Sequence, residues 1–129
     1  MSIERLQVDG APAPLGPYSH AVTAQGFLYS AGLGPLDPAT GVVVGTEIEE
    51  QTRQTLRNIG AVLAAAGLGF GDVVKSTVHL ADVHRDFAGF NRAYAEYFTE
   101  GFPVRTTVGS TLLNILVEID VVAALPDNR

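Results

Sequence analysis

Two short runs near the C-terminal end hold the residues best suited to chemistry. Arg105 and Thr107 stand two apart in Val104-Arg105-Thr106-Thr107-Val108, and Glu118 and Asp120 stand two apart in Val117-Glu118-Ile119-Asp120-Val121. Both runs read as strands, where alternate side chains share a face, so each strand sets a polar pair against a hydrophobic opposite side. A guanidinium can hold a carboxylate through two parallel hydrogen bonds and keeps its charge at any relevant pH. A neighbouring glutamate can orient a water. If the strands form a hairpin turning near Leu112-Leu113, Thr107 lies opposite Glu118 and Arg105 opposite Asp120, with Cβ atoms about 5 Å apart. That geometry leaves two readings open: a site for a carboxylate ligand, or a surface ladder in which Arg105 pairs with Glu118 or Asp120.

Other reactive residue types are more simply explained. His20, His79 and His84 lack metal-site spacing, so no metal site is expected. Gly67-Leu68-Gly69-Phe70-Gly71 follows a helix and precedes a strand, the reverse of the order a dinucleotide-binding turn needs. Phe87, Phe90, Tyr94 and Tyr97 fall three or four residues apart and read as the buried stripe of a helix.

The elements that must position Arg105 and Glu118 are legible along the chain. Ala11-Pro12-Ala13-Pro14-Leu15-Gly16-Pro17 excludes helix and reads as an extended surface segment. Ser19–Ala24 and Phe27–Ala31 read as strands around a Gln25-Gly26 turn, and Val42, Val43 and Val44 as a short further strand. Thr46 and Glu49 have capping-box spacing, and Ile48, Leu56, Ile59, Leu63 and Ala66 then recur at helical period until Gly67 stops the helix. From Asp72 to Leu80 the period changes to two, with Val74, Val78 and Leu80 on one face and Lys75, Thr77 and His79 on the other. A second helix is expected from Val83 to about Phe98, with Asp82 as its N-cap and Gly101 and Pro103 beyond its end. Two strands close the sequence, Val104 to about Thr111 and about Leu116 to Ala124. The layout is α+β, with both helices expected on one face of the sheet.

Composition narrows the partners. A chain of 129 residues that is 47% hydrophobic and 17% charged can bury one core and suits one domain over residues 1–129. Its net charge of −6 and lone lysine, Lys75, oppose binding to nucleic acid or anionic lipid. No cysteine is present, which removes disulfides and thiolate chemistry and fits a reducing compartment. With no apolar leader after Met1 and no run approaching the roughly 20 residues a membrane span needs, a cytoplasmic protein is expected.

Six stretches decide between the two readings of Arg105. Gly16-Pro17-Tyr18-Ser19, Leu36-Asp37-Pro38-Ala39-Thr40-Gly41, Gln51-Thr52-Arg53-Gln54-Thr55-Leu56-Arg57-Asn58-Ile59, Asp86-Phe87-Ala88-Gly89-Phe90-Asn91, Phe102-Pro103-Val104-Arg105-Thr106-Thr107-Val108 and Val117-Glu118-Ile119-Asp120 resemble, in order, the motifs of the Rid (YjgF) family of enamine/imine deaminases. The resemblance implies a trimer of chorismate-mutase-like subunits, a mixed sheet with two helices on one face, and a substrate cleft between neighbouring subunits. It implies hydrolysis of 2-aminoacrylate-type enamines, or their 2-imine tautomers, to 2-keto acids and ammonia, without a cofactor. In that scheme Arg105 binds the substrate carboxylate and Glu118 positions water. Tyr18 and Asn91 line the cleft, joined by Thr107, Gly32 and Leu33 as substrate-binding residues. Ala31-Gly32-Leu33 stands where many relatives carry serine-glycine-glutamine, which makes the expected pocket less polar, and Thr107, which keeps a hydroxyl but no thiol, stands where the best-studied deaminases carry cysteine. A non-catalytic carboxylate-binding or protein-interaction role, and ribonuclease activity, are the competing functions; the charge opposes the latter.

Overall fold

The structure is a computed structural model that describes residues 2–126. In chain order the elements are β1 (Glu4–Leu6), β2 (Ala21–Ala24), β3 (Phe27–Ser30), α1 (Ile48–Ala65), β4 (Val73–Leu80), α2 (Val83–Ala95), β5 (Val104–Gly109) and β6 (Val117–Ala124). The strands form one mixed sheet of order β1-β2-β3-β6-β4-β5. All neighbours are antiparallel except β4 and β5, which run parallel because α2 supplies the crossover between them. Both helices pack on one face, over Leu28, Val78, Ile119 and Val121.

The last two strands are therefore not a hairpin. β6 lies between β3 and β4, and β5 is the edge strand beyond β4. The burial alternation explains the difference: Val117, Ile119, Val121 and Ala123 of β6 are each at most 2% exposed and need a neighbour strand on both sides. Every second residue of β5 remains open to solvent, which suits an edge.

Local signals account for most boundaries. Gln25 (φ 53°) and Gly26 (φ 85°) both take the left-handed backbone that a tight hairpin turn demands. Helix α1 starts one residue later than its spacing suggested. Glu47 is the N-cap, and Glu50 Oε1, in place of Glu49, accepts from the backbone N–H groups of Thr46 and Glu47 at 3.3 and 3.2 Å. Glu49 is thereby released to bind Arg53 and Arg92. Gly67 (φ 74°) ends α1, with the Leu68 N–H returning to Leu63 O at 2.9 Å. Asp82 caps α2 by accepting from the Arg85 N–H, and the helix stops at Ala95, a turn before Phe98.

Two further sequence expectations differ from what is observed. Val74 is exposed, because a register shift between Val73 and Lys75 turns it out of the core face. Val42–Val44 contribute one isolated bridge, Leu36 to Val43, and no strand. Strand β1 is three residues long and mostly exposed, too short to carry a period in the sequence. Among the described residues no helix is long and apolar enough to cross a membrane.

Candidate active site

Arg105 sits on the helix-side face of β5, level with Ser76 of β4. Its Nη2 donates to Asn91 Oδ1 of α2 at 2.7 Å. The guanidinium carbon lies 5.8, 5.2 and 4.8 Å from the ring centres of Phe87, Phe90 and Tyr94, a cation resting among aromatic faces. Tyr94 is fixed in turn by a 2.6 Å hydrogen bond between its hydroxyl and Ser76 Oγ. Burial pushes the Tyr94 phenol above its usual range, outweighing the Ser76 bond and the Arg105 charge, so it remains a neutral neighbour. Among the described residues no carboxylate lies within ion-pair distance of Arg105. A cavity of about 350 Å³, lined by Asn91, Tyr94, Ala95, Phe102, Pro103 and Arg105, opens beside it. The surface-ladder reading of Arg105 is excluded.

Phe87 belongs to this arrangement and not to the core stripe. It is 44% exposed, because it sits at the margin of α2 where the helix overhangs the edge strand. Thr107 shares Arg105's face, level with Val78, but lines neither this cavity nor the one described next.

Glu118 lies on the other face of the sheet. Antiparallel pairing sets it beside His79, and Asp120 beside Thr77. His79 Nδ1 bonds Ser110 Oγ at 2.7 Å, and burial raises the Asp120 carboxyl above the usual range despite the opposing charges of His79 and Lys75. Glu118 lines a cavity of about 320 Å³ together with Pro12, Leu15, Tyr18, Gly32, Leu33, Gly34, Leu36, Leu113 and Ile115. The approach to Gly32 is close: a methyl group there would fall 2.7 Å from Glu118 Oε2, so the carboxylate occupies space that only glycine leaves.

The sequence-derived site residues therefore separate into two groups. Tyr18, Gly32, Leu33 and Glu118 share one cavity, and Asn91 and Arg105 share another. Arg105 and Glu118 stand on opposite faces of one sheet with β4 between their strands, so one chain cannot present both to one small ligand.

Residues outside the expected set hold the Glu118 cavity in shape. Gln51, Gln54 and Asn58 form a buried amide stripe on α1. Asn58 Nδ2 donates to the carbonyls of Gly34 and Leu36, both at 2.9 Å. Gln54 Nε2 donates to Asn58 Oδ1 at 3.1 Å. Gln51 donates to Gly45 O and accepts from the Leu116 N–H at 2.8 Å, fixing the loop that carries Leu113 and Ile115. Their i, i+3, i+7 spacing is the detectable signal: amides on the core-facing side of a helix need buried partners. His20, 3% exposed, ties down the proline-rich wall by accepting from the Val8 N–H at Nδ1 (2.8 Å) and donating from Nε2 to Pro12 O (2.7 Å). The Tyr18 hydroxyl accepts from the Leu15 N–H at 3.0 Å.

This fold is shared with known proteins. A family model described as Endoribonuclease L-PSP matches residues 8–125, and the chain belongs to that family, the Rid (YjgF/RutC) family. It is 48% identical over 122 residues to the RutC family protein PH0854 of Pyrococcus horikoshii, covering 93% of this chain and 96% of that one. It is 46% identical over 95 residues to the 2-iminobutanoate/2-iminopropanoate deaminase of Capra hircus, covering 74% of this chain and 69% of that one. The crystal structure of Escherichia coli TdcF with bound serine superposes with a TM-score of 0.87 at 32% identity, covering 94% of this chain and 98% of that one. Names within the family thus include both deaminase and endoribonuclease.

Proposed function

We propose that this protein hydrolyses 2-imino acids and their 2-enamine tautomers to 2-keto acids and ammonia, at sites built between copies of the chain. The observation that carries the reading is Arg105, a half-buried arginine held by an amide and aromatic rings with no carboxylate of the described chain to neutralise it. A guanidinium so held is prepared for an anionic ligand, and each charge-assisted hydrogen bond to a substrate carboxylate contributes about 1.5–3 kcal/mol. The deaminase name of the goat relative supplies the reaction class, and serine bound to TdcF shows a carboxylate-bearing ligand on that related protein.

In this mechanism Arg105 fixes the carboxylate and so presents the imine carbon in one orientation, with Asn91 steadying the guanidinium. Glu118 of an adjoining copy, beside Tyr18 and Gly32, holds the attacking water. Oxygen adds to the imine carbon, the C–N bond breaks, and the two protons of the water end on the departing nitrogen, shuttled through the Glu118 carboxylate. Orientation by the arginine turns an encounter with water into a nearly unimolecular step. The imine is already electrophilic, so the chain's own residues supply the chemistry. The paired half-sites require an oligomer in which the helix-side edge of β5 meets the Glu118 cavity, and a homotrimer meets this need.

Keto-acid release from 2-aminoacrylate generated in situ by a dehydratase tests the proposal. Arg105→Ala is expected to lower kcat/KM on the order of 10²–10³-fold, and Arg105→Lys to recover only part, because a point charge lacks the planar fork. A wild-type rate equal to that in buffer rejects the activity, and full activity in Arg105→Ala rejects the site. RNA cleavage that persists in the Arg105→Ala protein would favour the endoribonuclease description instead.

A further inference from the structure

We infer that the Glu118 cavity is a side-chain pocket that selects 2-imino acids with apolar chains of three or more carbons over the methyl-bearing 2-iminopropanoate. The inference rests on the deaminase reading and names the substrate class for it.

Polarity and size carry the argument. Leu15, Leu36, Leu113 and Ile115 line it, and Glu118 is the one charged group among its described lining residues. A ligand whose nitrogen end meets the carboxylate and whose other end is hydrocarbon matches that distribution. At about 320 Å³ the cavity has space for roughly ten waters, far more than one methyl group fills. Its depth comes from two glycines flanking a leucine. Gly32 leaves room for the Glu118 carboxylate, and a methyl group at Gly34 would lie 2.8 Å from Ile115 Cδ1, so any side chain there would take up the pocket's width. Leu33 itself is 5% exposed and pinned by paired backbone hydrogen bonds with Ile119, which makes the pocket floor rigid. The outer lip, Leu15 at 77% and Leu113 at 83% exposure, is apolar surface that a hydrocarbon chain would cover.

Each methylene removed from water in such a pocket raises kcat/KM about fourfold. Imines generated from alanine, 2-aminobutyrate, norvaline and leucine by an amino-acid oxidase, with semicarbazide as competing trap, give the comparison. The norvaline- and leucine-derived imines are expected to exceed the alanine-derived one by at least about tenfold, and Leu113→Gln and Ile115→Gln to flatten the series. Calorimetry with pyruvate, 2-oxovalerate and 4-methyl-2-oxovalerate reads the same preference without turnover. Pyruvate binding as tightly as the longer acids overturns the inference whether or not the protein is catalytic. A flat rate series well above buffer overturns it too, leaves the deaminase reading standing, and would mean that a neighbouring copy fills the pocket. Longer acids binding tighter with no rate above buffer would support the pocket and reject the deaminase.

Discussion

Arg105 and Glu118 are prepared in opposite ways. The arginine is held by groups that cannot cancel its charge: the Asn91 amide and the rings of Phe87, Phe90 and Tyr94. Cation–π contacts orient a guanidinium and contribute about 0.5–2 kcal/mol apiece, yet leave N–H groups available for a carboxylate. The glutamate depends on an absence, the missing side chain of Gly32. Gly32→Ala is therefore expected to push the carboxylate off its position and cut kcat on the order of 10²-fold, while the unfolding midpoint moves little. Unchanged kcat in that variant would show that the placement of Glu118 is not critical.

Helix α1 is a scaffold with two different sides. Its apolar residues Leu56, Ile59, Val62 and Leu63 are fully buried, and its amide stripe grips three separate loop carbonyls and the Leu116 N–H. Asn58→Leu keeps similar bulk but leaves the Gly34 and Leu36 carbonyls without this partner, which should destabilise the protein by about 2–4 kcal/mol in urea unfolding. Because those loops wall the Glu118 cavity, KM should rise in the same variant. Helices α1 and α2 meet closely at Gly89, where a methyl group would lie 2.8 Å from Ile48 Cγ2. Larger residues at Gly89 would force the helices apart, at about 1–3 kcal/mol for overpacking. That shift would carry Asn91 and the aromatic rings away from Arg105.

Across the whole molecule, the proposed function turns on how copies of the chain meet. Arg105→Ala and Glu118→Gln should each be nearly inactive alone. Unfolded together in equal amounts and refolded, they should regain about a quarter of wild-type activity, the chance that a site shared by two copies draws both intact residues. No recovery would mean that both groups act within one chain. The sheet face bearing Glu118 also carries Asp120, whose proton the native state holds more tightly than the unfolded chain does, because burial disfavours the carboxylate. Its contribution to stability is thus fully present below the ordinary carboxylate pKa and is lost as pH rises through the higher folded-state value. Asp120→Asn is expected to raise Tm at about pH 7 and to change it little at about pH 3. A lowered Tm at neutral pH would show instead that the ionised carboxylate has a favourable partner.

What could be read along the chain were the features set by near neighbours. Helix and strand periods, the Gln25-Gly26 turn, the Asp82 cap and the Gly67 stop all depend on residues a few positions apart, and the structure keeps them. Arg105 and Glu118 were identifiable as residue types on alternating strands and through their resemblance to family motifs. The strand order was not, because two consecutive strands can pair with each other or with partners far away, and the choice depends on which arrangement buries both edges of β6. That choice put Arg105 and Glu118 on opposite faces, divided one expected wall between two cavities, and moved Phe87 from the core to the arginine. Long-range pairing energy, summed over the whole sheet, leaves no trace in the spacing of the residues it brings together or separates.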